Sequence, residues 1–350
     1  MSKKWAIALM TLLMTFTVVS LAVAADACKN RGELDKMYCD EDGDLTADTP
    51  KDKKQWKDPS TLVFTYTPVE DPAVYKDAFA DFQKFIEKKT GKKVIYYTVH
   101  SNSAEVEAKR SGRLHIAGFS TGPTCFAVNL AGYVPIAVKG YESEFQGYRL
   151  IVVVKKDSPY KTLTDLKGKK VAHTSPSSNS GHLAPLALFP KDGVTPGKDY
   201  EIAFSGKHDQ SIMGVSHGDY EAACVASDVF KRMAGAGRIK EDDYRIVWQS
   251  SIFPTSSFGY ASNLNPELVK KIKEAFFEYR FNPEMQKTFG GADRFFPVTF
   301  KQDYELIRII AEASGESFNE AGLVKMREAE ERAAQANRSR EANTDRKSVV

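Results

Sequence analysis

Residues 171 to 188 read Val171-Ala-His-Thr-Ser-Pro-Ser-Ser-Asn-Ser-Gly-His-Leu-Ala-Pro-Leu-Ala-Leu188. An apolar pair, Val171 and Ala172, leads into a polar turn, and the turn leads into the helix-like run Leu183 to Leu188. Ser177, Ser178, Asn179 and Ser180 therefore fall where a helix begins, beside backbone N–H groups that have no partner inside the helix. Those groups and the positive end of the helix dipole point at one place, which makes such a turn an anion site. The short side chains add donors without bulk, and Gly181 lets the backbone approach a ligand closely. No Lys or Arg lies in the loop, so a tetrahedral oxyanion there would meet neutral donors. An ordinary Ser-rich capped turn is the plain alternative, and the rest of the chain weighs between the two.

On both sides of this loop, short apolar runs alternate with amphipathic stretches. Leu62 to Tyr66, Val94 to Val99, Leu114 to Ala117, Leu150 to Val154, Lys170 to His173, Tyr200 to Phe204 and Tyr220 to Val225 read as strands. Pro72 to Lys88 reads as a helix with Ala78, Phe79, Phe82, Phe85 and Ile86 on one face, and another helix centres on Ala104 to Ser111. Pro266 to Tyr279 and Asp303 to Ser314 read as later helices, and the charged, Ala-rich tail from Met326 as a helix fraying into a disordered end. The alternation predicts an α/β architecture with largely parallel sheets. Such sheets bind ligands beyond the carboxyl ends of their strands. Three further segments hold that strand-to-helix position: Tyr66-Thr-Pro-Val-Glu-Asp71, Phe119-Ser-Thr-Gly122 and Ser205-Gly-Lys-His-Asp209. Several helix starts can thus converge on one anion.

The N-terminus addresses compartment. Lys3 and Lys4 precede an uncharged stretch, Trp5 to Ala24, ending in Ala22-Val-Ala24. That pattern predicts a secretory signal peptide over residues 1–24, with a lipid-modified Cys28 as the second reading. Its removal lowers the formal charge from +3 to +1, and with 42% hydrophobic residues the exported chain reads as a globular protein with no affinity for nucleic acid. In an oxidising compartment, Cys28 and Cys39 are expected to form a local disulfide within an N-terminal extension, residues 25–59. Cys125 and Cys224 sit in apolar settings and are expected to be buried thiols. Asp40, Asp42, Asp44 and Asp48 alternate around Gly43 like a calcium loop, but the spacing departs from an EF-hand, and a solvated acidic linker is the other reading.

The motifs together resemble a known family. Tyr66-Thr-Pro-Val-Glu-Asp-Pro72, Ala117-Gly-Phe-Ser-Thr-Gly122, Leu163-Thr-Asp-Leu-Lys-Gly-Lys-Lys-Val-Ala172, Ser175-Pro-Ser-Ser-Asn-Ser-Gly181, Phe204-Ser-Gly-Lys-His-Asp209 and Phe253-Pro-Thr-Ser-Ser-Phe-Gly259 look like the phosphonate/phosphite-type periplasmic solute-binding proteins of ABC importers. The resemblance implies a two-lobed type II periplasmic binding fold, α/β in class, with two crossover hinge segments and the ligand in the cleft. By similarity, lobe one comprises residues 60–146 plus 258–325 and lobe two residues 147–257, leaving 326–350 as a charged tail. It further implies a small phosphorus oxyanion as ligand, a membrane permease as partner, a periplasmic location, action as a monomer and no cofactor.

Family roles carry over where positions match. The family's Ser-Thr-Ser-Gly anion loop corresponds to Ser178, Asn179, Ser180 and Gly181, with Asn179 replacing Thr. The aromatic wall beside phosphorus corresponds to Phe119, a tyrosine in some members. His208 corresponds to a donor to a ligand oxygen, and Asp228 to one carboxylate around the amine of aminoalkylphosphonates. The position of a second carboxylate holds Ser256, a departure that Asp209 or Glu70 is available to offset. Tyr66, Thr67, Ser120 and Thr121 join the candidate site through their strand-end position, with Ser177. Each also has a structural reading: His208 and Asp228 as helix caps, Phe119 as core, Glu70 and Asp71 as partners of a helix dipole.

Neutral donors suffice energetically. A hydrogen bond to a charged group contributes about 1.5–3 kcal/mol, so four to six gross roughly 6–18 kcal/mol before ordering costs. Micromolar affinity needs about 8 kcal/mol. Catalysis fits less well: Ser178 and Ser180 lack a Gly-x-Ser-x-Gly elbow, no phosphate-binding Gly-x-x-x-x-Gly-Lys motif occurs, and the six histidines have no paired zinc spacing. A ligand sensor for a membrane receptor is the runner-up, because the same closing lobes serve either task. Hinge closure is the expected mechanism, the ligand shifting the population toward the closed form.

Overall fold

The computed structural model describes residues 28–348 apart from Pro68, so the expected signal peptide lies outside the described residues. The first half of one lobe runs β1 (Thr61–Tyr66), α1 (Ala73–Lys76), α2 (Ala80–Thr90), β2 (Lys93–Tyr96), α3 (Asn102–Arg110), β3 (Ile116–Phe119), α4 (Thr121–Ala131) and β4 (Tyr133–Gly140). Through β5 (Gly147–Tyr148) the chain enters the second lobe: β6 (Leu150–Lys155), β7 (Lys170–His173), α5 (Ala184–Leu188), β8 (Glu201–Phe204), α6 (His208–His217), β9 (Ala222–Ala226), α7 (Ser227–Gly235) and β10 (Tyr244–Gln249). It returns through β11 (Phe253–Pro254) to β12 (Ser257–Ala261), α8 (Pro266–Glu278), α9 (Pro283–Thr288), β13 (Arg294–Pro297), α10 (Phe300–Asp303), α11 (Glu305–Ser314) and α12 (Glu320–Ser348).

Two sheets result, a six-stranded one ordered β13-β4-β12-β3-β1-β2 and a five-stranded one ordered β10-β6-β9-β7-β8. The two crossings between them pair with each other as the ribbon β5/β11, Tyr148 opposite Phe253 and Gly147 opposite Pro254. Central strands are covered on both faces and so carry unbroken apolar runs: Leu150 to Val154 in β6 and Ala222 to Ala226 in β9 are all buried. The first lobe has an aromatic core instead, in which the Phe82 ring lies 5.0 Å from Phe276 and 4.7 Å from Phe295.

The sheets are mixed, which corrects the expectation of largely parallel ones. The pairs β1/β2, β1/β3, β7/β8 and β7/β9 are parallel, whereas β12/β3, β12/β4, β13/β4, β6/β9 and β10/β6 are antiparallel. The strands missed in the sequence belong to the antiparallel set. In β4, Pro135 argues against a central strand. The structure accommodates it at a register shift, where Phe258 faces Ala137 and Gly259 faces Pro135, so the ladder is already interrupted there. A Cβ on Gly259 would lie 2.1 Å from the Val134 carbonyl oxygen, so this bulge requires glycine opposite.

Two other expectations change. The helix expected over Pro72 to Lys88 breaks between α1 and α2, and Phe79 at the break sets its ring 5.1 Å from both Phe64 and Tyr66. The C-terminal tail is one helix, α12, which begins before residue 326 and buries Leu323, Met326, Ala329 and Ala333 along one face. At the other end, Cys28 and Cys39 form a disulfide, and the Asp35 N–H bonds the Asn129 carbonyl at 2.7 Å, tying the extension to α4. Cys125 and Cys224 are buried thiols.

Candidate functional site

Helix starts from both lobes meet at one small cavity of about 50 Å³. The first lobe supplies Tyr66 at the end of β1, Asn102 opening α3, Ser120 and Thr121 opening α4, and Thr255 with Ser256 just after the return ribbon. From the second come Thr174, Ser175, Ser178, Asn179 and Ser180 after β7, Lys207 and His208 opening α6, and Asp228 opening α7. None of α4, α6 and α7 has a side-chain N-cap; the His208 and Ser227 N–H groups bond the Val69 and Arg149 carbonyls and the Gln210 N–H bonds the Asp209 carboxylate, which leaves the remaining first-turn N–H groups for this space. A volume of this size holds a few atoms beyond a single water.

The serine loop folds as a single π-helical turn, Asn179–Leu183, directly ahead of α5. Ser178 Oγ accepts from the Gly181 N–H at 3.0 Å, and the Asn179 amide donates to the Tyr148 hydroxyl of the hinge ribbon at 3.1 Å. From the opposite lobe, Thr121 donates to the Pro254 carbonyl of that ribbon at 3.0 Å. The serine loop and the crossing ribbon are therefore one hydrogen-bonded unit. Among the described residues, six buried side-chain N or O atoms have no hydrogen-bond partner, and three of them, on Thr174, Asn179 and Thr255, belong to the cavity wall. Buried polar groups are nearly always paired, so these are open hydrogen-bonding positions in the cavity wall: two hydroxyls on Thr174 and Thr255 and one acceptor, Asn179 Oδ1.

Electrostatics inside the site are finely divided. His208 Nδ1 accepts from the Ala226 N–H at 3.2 Å, which places the proton of the neutral ring on Nε2. Burial pushes this imidazole down to about 4, so at neutral pH it is an uncharged donor. Burial alone raises the Asp228 carboxyl, but Arg232, Lys139 and His208 together outweigh it and hold it below the usual carboxylate range. Behind Tyr66, the buried Lys139 ammonium donates to the tyrosine hydroxyl at 3.2 Å, and that hydroxyl donates to Ser256 Oγ at 3.2 Å. Burial lowers Lys139 to about 8.

Of the residues singled out from sequence, Tyr66, Ser120, Thr121, Ser178, Asn179, Ser180, His208 and Asp228 line the cavity. The other six lie off its wall. Phe119 is fully buried against Tyr133, with ring centroids 4.8 Å apart, because β3 is a central strand and turns that side chain into the core. Glu70 reaches across the lobes instead, accepting from Arg232 Nε at 2.6 Å and from the Tyr75 hydroxyl at 2.8 Å. Asp209 pairs with Arg238 at 3.4 Å. Thr67 and Ser177 both bond the Asn102 amide, each at 3.3 Å, and stand one layer behind the wall. Gly181 packs beneath the loop, where a Cβ would lie 1.8 Å from Thr174 Oγ1.

Asn102, Tyr148, Thr174, Ser175, Lys207 and Thr255 were not singled out. Asn102 obeys the rule that selected the others, since it opens a helix after a strand, yet Ser101-Asn-Ser103 reads as a mere capping turn. His182 is not poised as a base for the serines: its Nδ1 lies 2.8 Å from His173 Nδ1, and burial pushes it down to about 4. In the N-terminal extension, Asp40, Asp42 and Asp44 bring carboxylate oxygens within 4.8 Å of one another. Both Asp40 oxygens already accept backbone N–H groups, and Asp48 turns to the Glu41 N–H at 2.7 Å.

Comparison with known proteins identifies the family. Residues 64–304 match the family described as "ABC transporter, phosphonate, periplasmic substrate-binding protein". The chain is 30% identical over 231 residues, 62% of its length and 71% of the relative's, to a protein of Mycolicibacterium smegmatis named phosphate-import protein PhnD. It is 24% identical over 228 residues, 64% of this chain and 67% of the other, to the phosphonates-binding periplasmic protein of Escherichia coli K12. The fold is similar to that of PhnD1 from Prochlorococcus marinus, solved with methylphosphonate: TM-score 0.65, 20% identity, 73% of this chain and 98% of that one. A Pseudomonas aeruginosa binding protein of an ABC phosphonate transporter gives TM-score 0.65 and 21% identity over 81% of this chain and all of the other. Family motif, hinge ribbon and converging helix starts lead to one assignment: the chain belongs to the periplasmic substrate-binding proteins of phosphonate ABC transporters.

Proposed function

We propose that the cleft binds a small phosphorus oxyanion and that the closed, loaded protein hands it to a membrane permease by hinge reopening. The observation that carries this reading is the meeting of three uncapped helix starts with the loop Ser178 to Ser180 in a cavity of about 50 Å³. In that arrangement Ser120, Thr121, Ser178, Ser180, the Asn179 side chain and His208 Nε2–H surround the tetrahedral head, and Lys207 adds a positive charge at the rim. The ligand bridges both lobes, so its contacts are complete only on closure, and binding shifts the population toward that form.

Within the class, two ligand types divide the site's features. Asp228 on the wall favours a ligand that brings its own proton or amine, such as 2-aminoethylphosphonate. Ser256 in place of a second carboxylate, together with the small volume, favours compact ions such as phosphate, phosphite or methylphosphonate. A thermal-shift panel of phosphate, phosphite, hypophosphite, methylphosphonate and 2-aminoethylphosphonate tests the proposal. The preferred compound at a hundredfold excess over its Kd stabilises by about 2.7 kcal/mol and is recovered unchanged. No shift with any member removes the oxyanion reading, and conversion of a compound to product moves the protein into the enzyme class.

A further inference from the structure

We infer that the C-terminal helix α12 is a working part of the cleft, with Glu330 as the positioning residue for Asn102, and that it governs how fast the closed protein releases its ligand. The ligand itself rests on the oxyanion reading above; the geometry of the contact does not.

Asn102 is the side chain that joins the lobes across the cavity wall. Its Nδ2 donates to Ser175 Oγ and Ser177 Oγ of the second lobe, both at 3.3 Å, and its Oδ1 accepts from Thr67 at 3.3 Å and Ser120 at 3.4 Å in the first. All four bonds are long, near the limit at which hydrogen bonding fades. A clasp built from such bonds depends on the backbone of Asn102 being held in place, because a small displacement breaks several at once.

What holds that backbone comes from 228 residues away in the chain. Glu330 is half-buried at the N-terminus of α3, where Oε1 accepts the Asn102 N–H at 3.2 Å and Oε2 accepts the Ser103 N–H at 3.1 Å and the Ser103 hydroxyl at 2.5 Å. The next two N–H groups of α3 go to Ser101, through Oγ for Ala104 and the carbonyl for Glu105, both at 3.2 Å. Every free donor of the first turn is thereby satisfied, two of them by the C-terminal helix. The carboxylate also sits at the positive end of α3. Leu323, Met326, Ala329 and Ala333 anchor α12, so Glu330 is delivered by a packed helix and not by a loose tail.

The consequence for release follows from a second cavity of about 270 Å³, bounded by Lys207, Glu330, Ala333 and Arg338. It shares Asn102, Ser175, Gly206 and Lys207 with the inner one, so the Asn102–Ser175 bond is part of the partition between ligand and vestibule, with Gly206 and Lys207 beside it. The family match ends at residue 304, before α12 begins, so this control belongs to the part of the chain outside it.

The test uses the full chain with Glu330→Ala, Glu330→Gln, Asn102→Ala and the double Glu330→Ala/Asn102→Ala. With the tightest ligand of the panel, Glu330→Ala and Asn102→Ala each speed dissociation about tenfold, the double variant is no faster than either, and Glu330→Gln, which keeps one acceptor oxygen, restores part of the loss. Dissociation at the wild-type rate in Glu330→Ala, or additive effects in the double variant, overturns the inference, even if melting temperatures fall. Should the wild type bind no panel member, the oxyanion reading fails by itself, and hydrogen exchange in the ligand-free protein decides this one. Glu330→Ala must then speed exchange across residues 174–180 in the facing lobe; acceleration confined to residues 102–104 reduces Glu330 to a helix cap and overturns the inference.

Discussion

Gly122 and Ser177 bring the two lobes together backbone against backbone: a Cβ on Gly122 would lie 1.9 Å from the Ser177 carbonyl oxygen and 3.2 Å from the Asn179 N–H nitrogen. Gly122 is in the first turn of α4 and Ser177 in the loop after β7, so the approach exists only while the lobes are shut. Gly122→Ala therefore wedges the cleft. The lobes relieve the clash by opening, so the ligand-free melting temperature changes little, whereas affinity measured by calorimetry falls about tenfold or more. Wild-type affinity in this variant would mean that the ligand is held without full closure.

Removing polar side chains from the serine loop has a cleaner chemical meaning. Asn179 and Ser180 are both buried in the cavity wall, and a hydrogen bond to a charged ligand is worth about 1.5–3 kcal/mol. The double substitution Asn179→Ala with Ser180→Ala weakens oxyanion binding at least about tenfold in calorimetry. An unchanged Kd takes this loop out of the site.

Asp228 separates ligand types. A carboxylate facing a bare anion repels it, so its place on the cavity wall is productive only if the ligand brings an amine or a P–O–H toward it. Asp228→Asn lowers affinity for 2-aminoethylphosphonate about tenfold while methylphosphonate is little affected. Equal losses for the two would assign Asp228 to the proton of the phosphorus group instead.

The buried imidazole of His182 makes stability depend on acidity in a defined window. Its folded pKa of about 4 lies below its ordinary value of 6.5, so the unfolded chain takes up a proton there that the native chain does not. Stability from this group is whole above pH 6.5 and is lost as pH falls toward about 4. In chemical denaturation, the advantage of wild type over His182→Gln shrinks by up to about 1.4 kcal/mol per pH unit across that window. A gap that stays constant with pH shows that His182 does not titrate on unfolding.

The legible features were those written in local chemistry. Ser178 to Ser180, Ser120, Thr121 and His208 stand at helix starts, and turn residues after a strand announce that position in any single stretch of chain. Distance hid the others. Glu70 resembles a helix-dipole residue until Arg232 arrives from the other lobe, 162 residues on, and Phe119 resembles a cleft wall until β12 and β1 flank its strand. Pro135 concealed β4, and with it Lys139, because only the bulge opposite Gly259 makes a proline tolerable there. Asn102 was within reach, since it follows a strand and opens a helix, but its value lies in four partners drawn from three separate segments.

The buried Arg232–Glu70 pair, with the Tyr75 hydroxyl beside it, has no need of cargo to form. Its attraction draws the jaws together in empty molecules too, and capture then proceeds only through the fraction of time they gape. On the transport role proposed above, unloaded copies that resemble loaded ones would compete for the same docking face on the permease. Import would then depend on the ratio of binding protein to permease as well as on how tightly each copy grips.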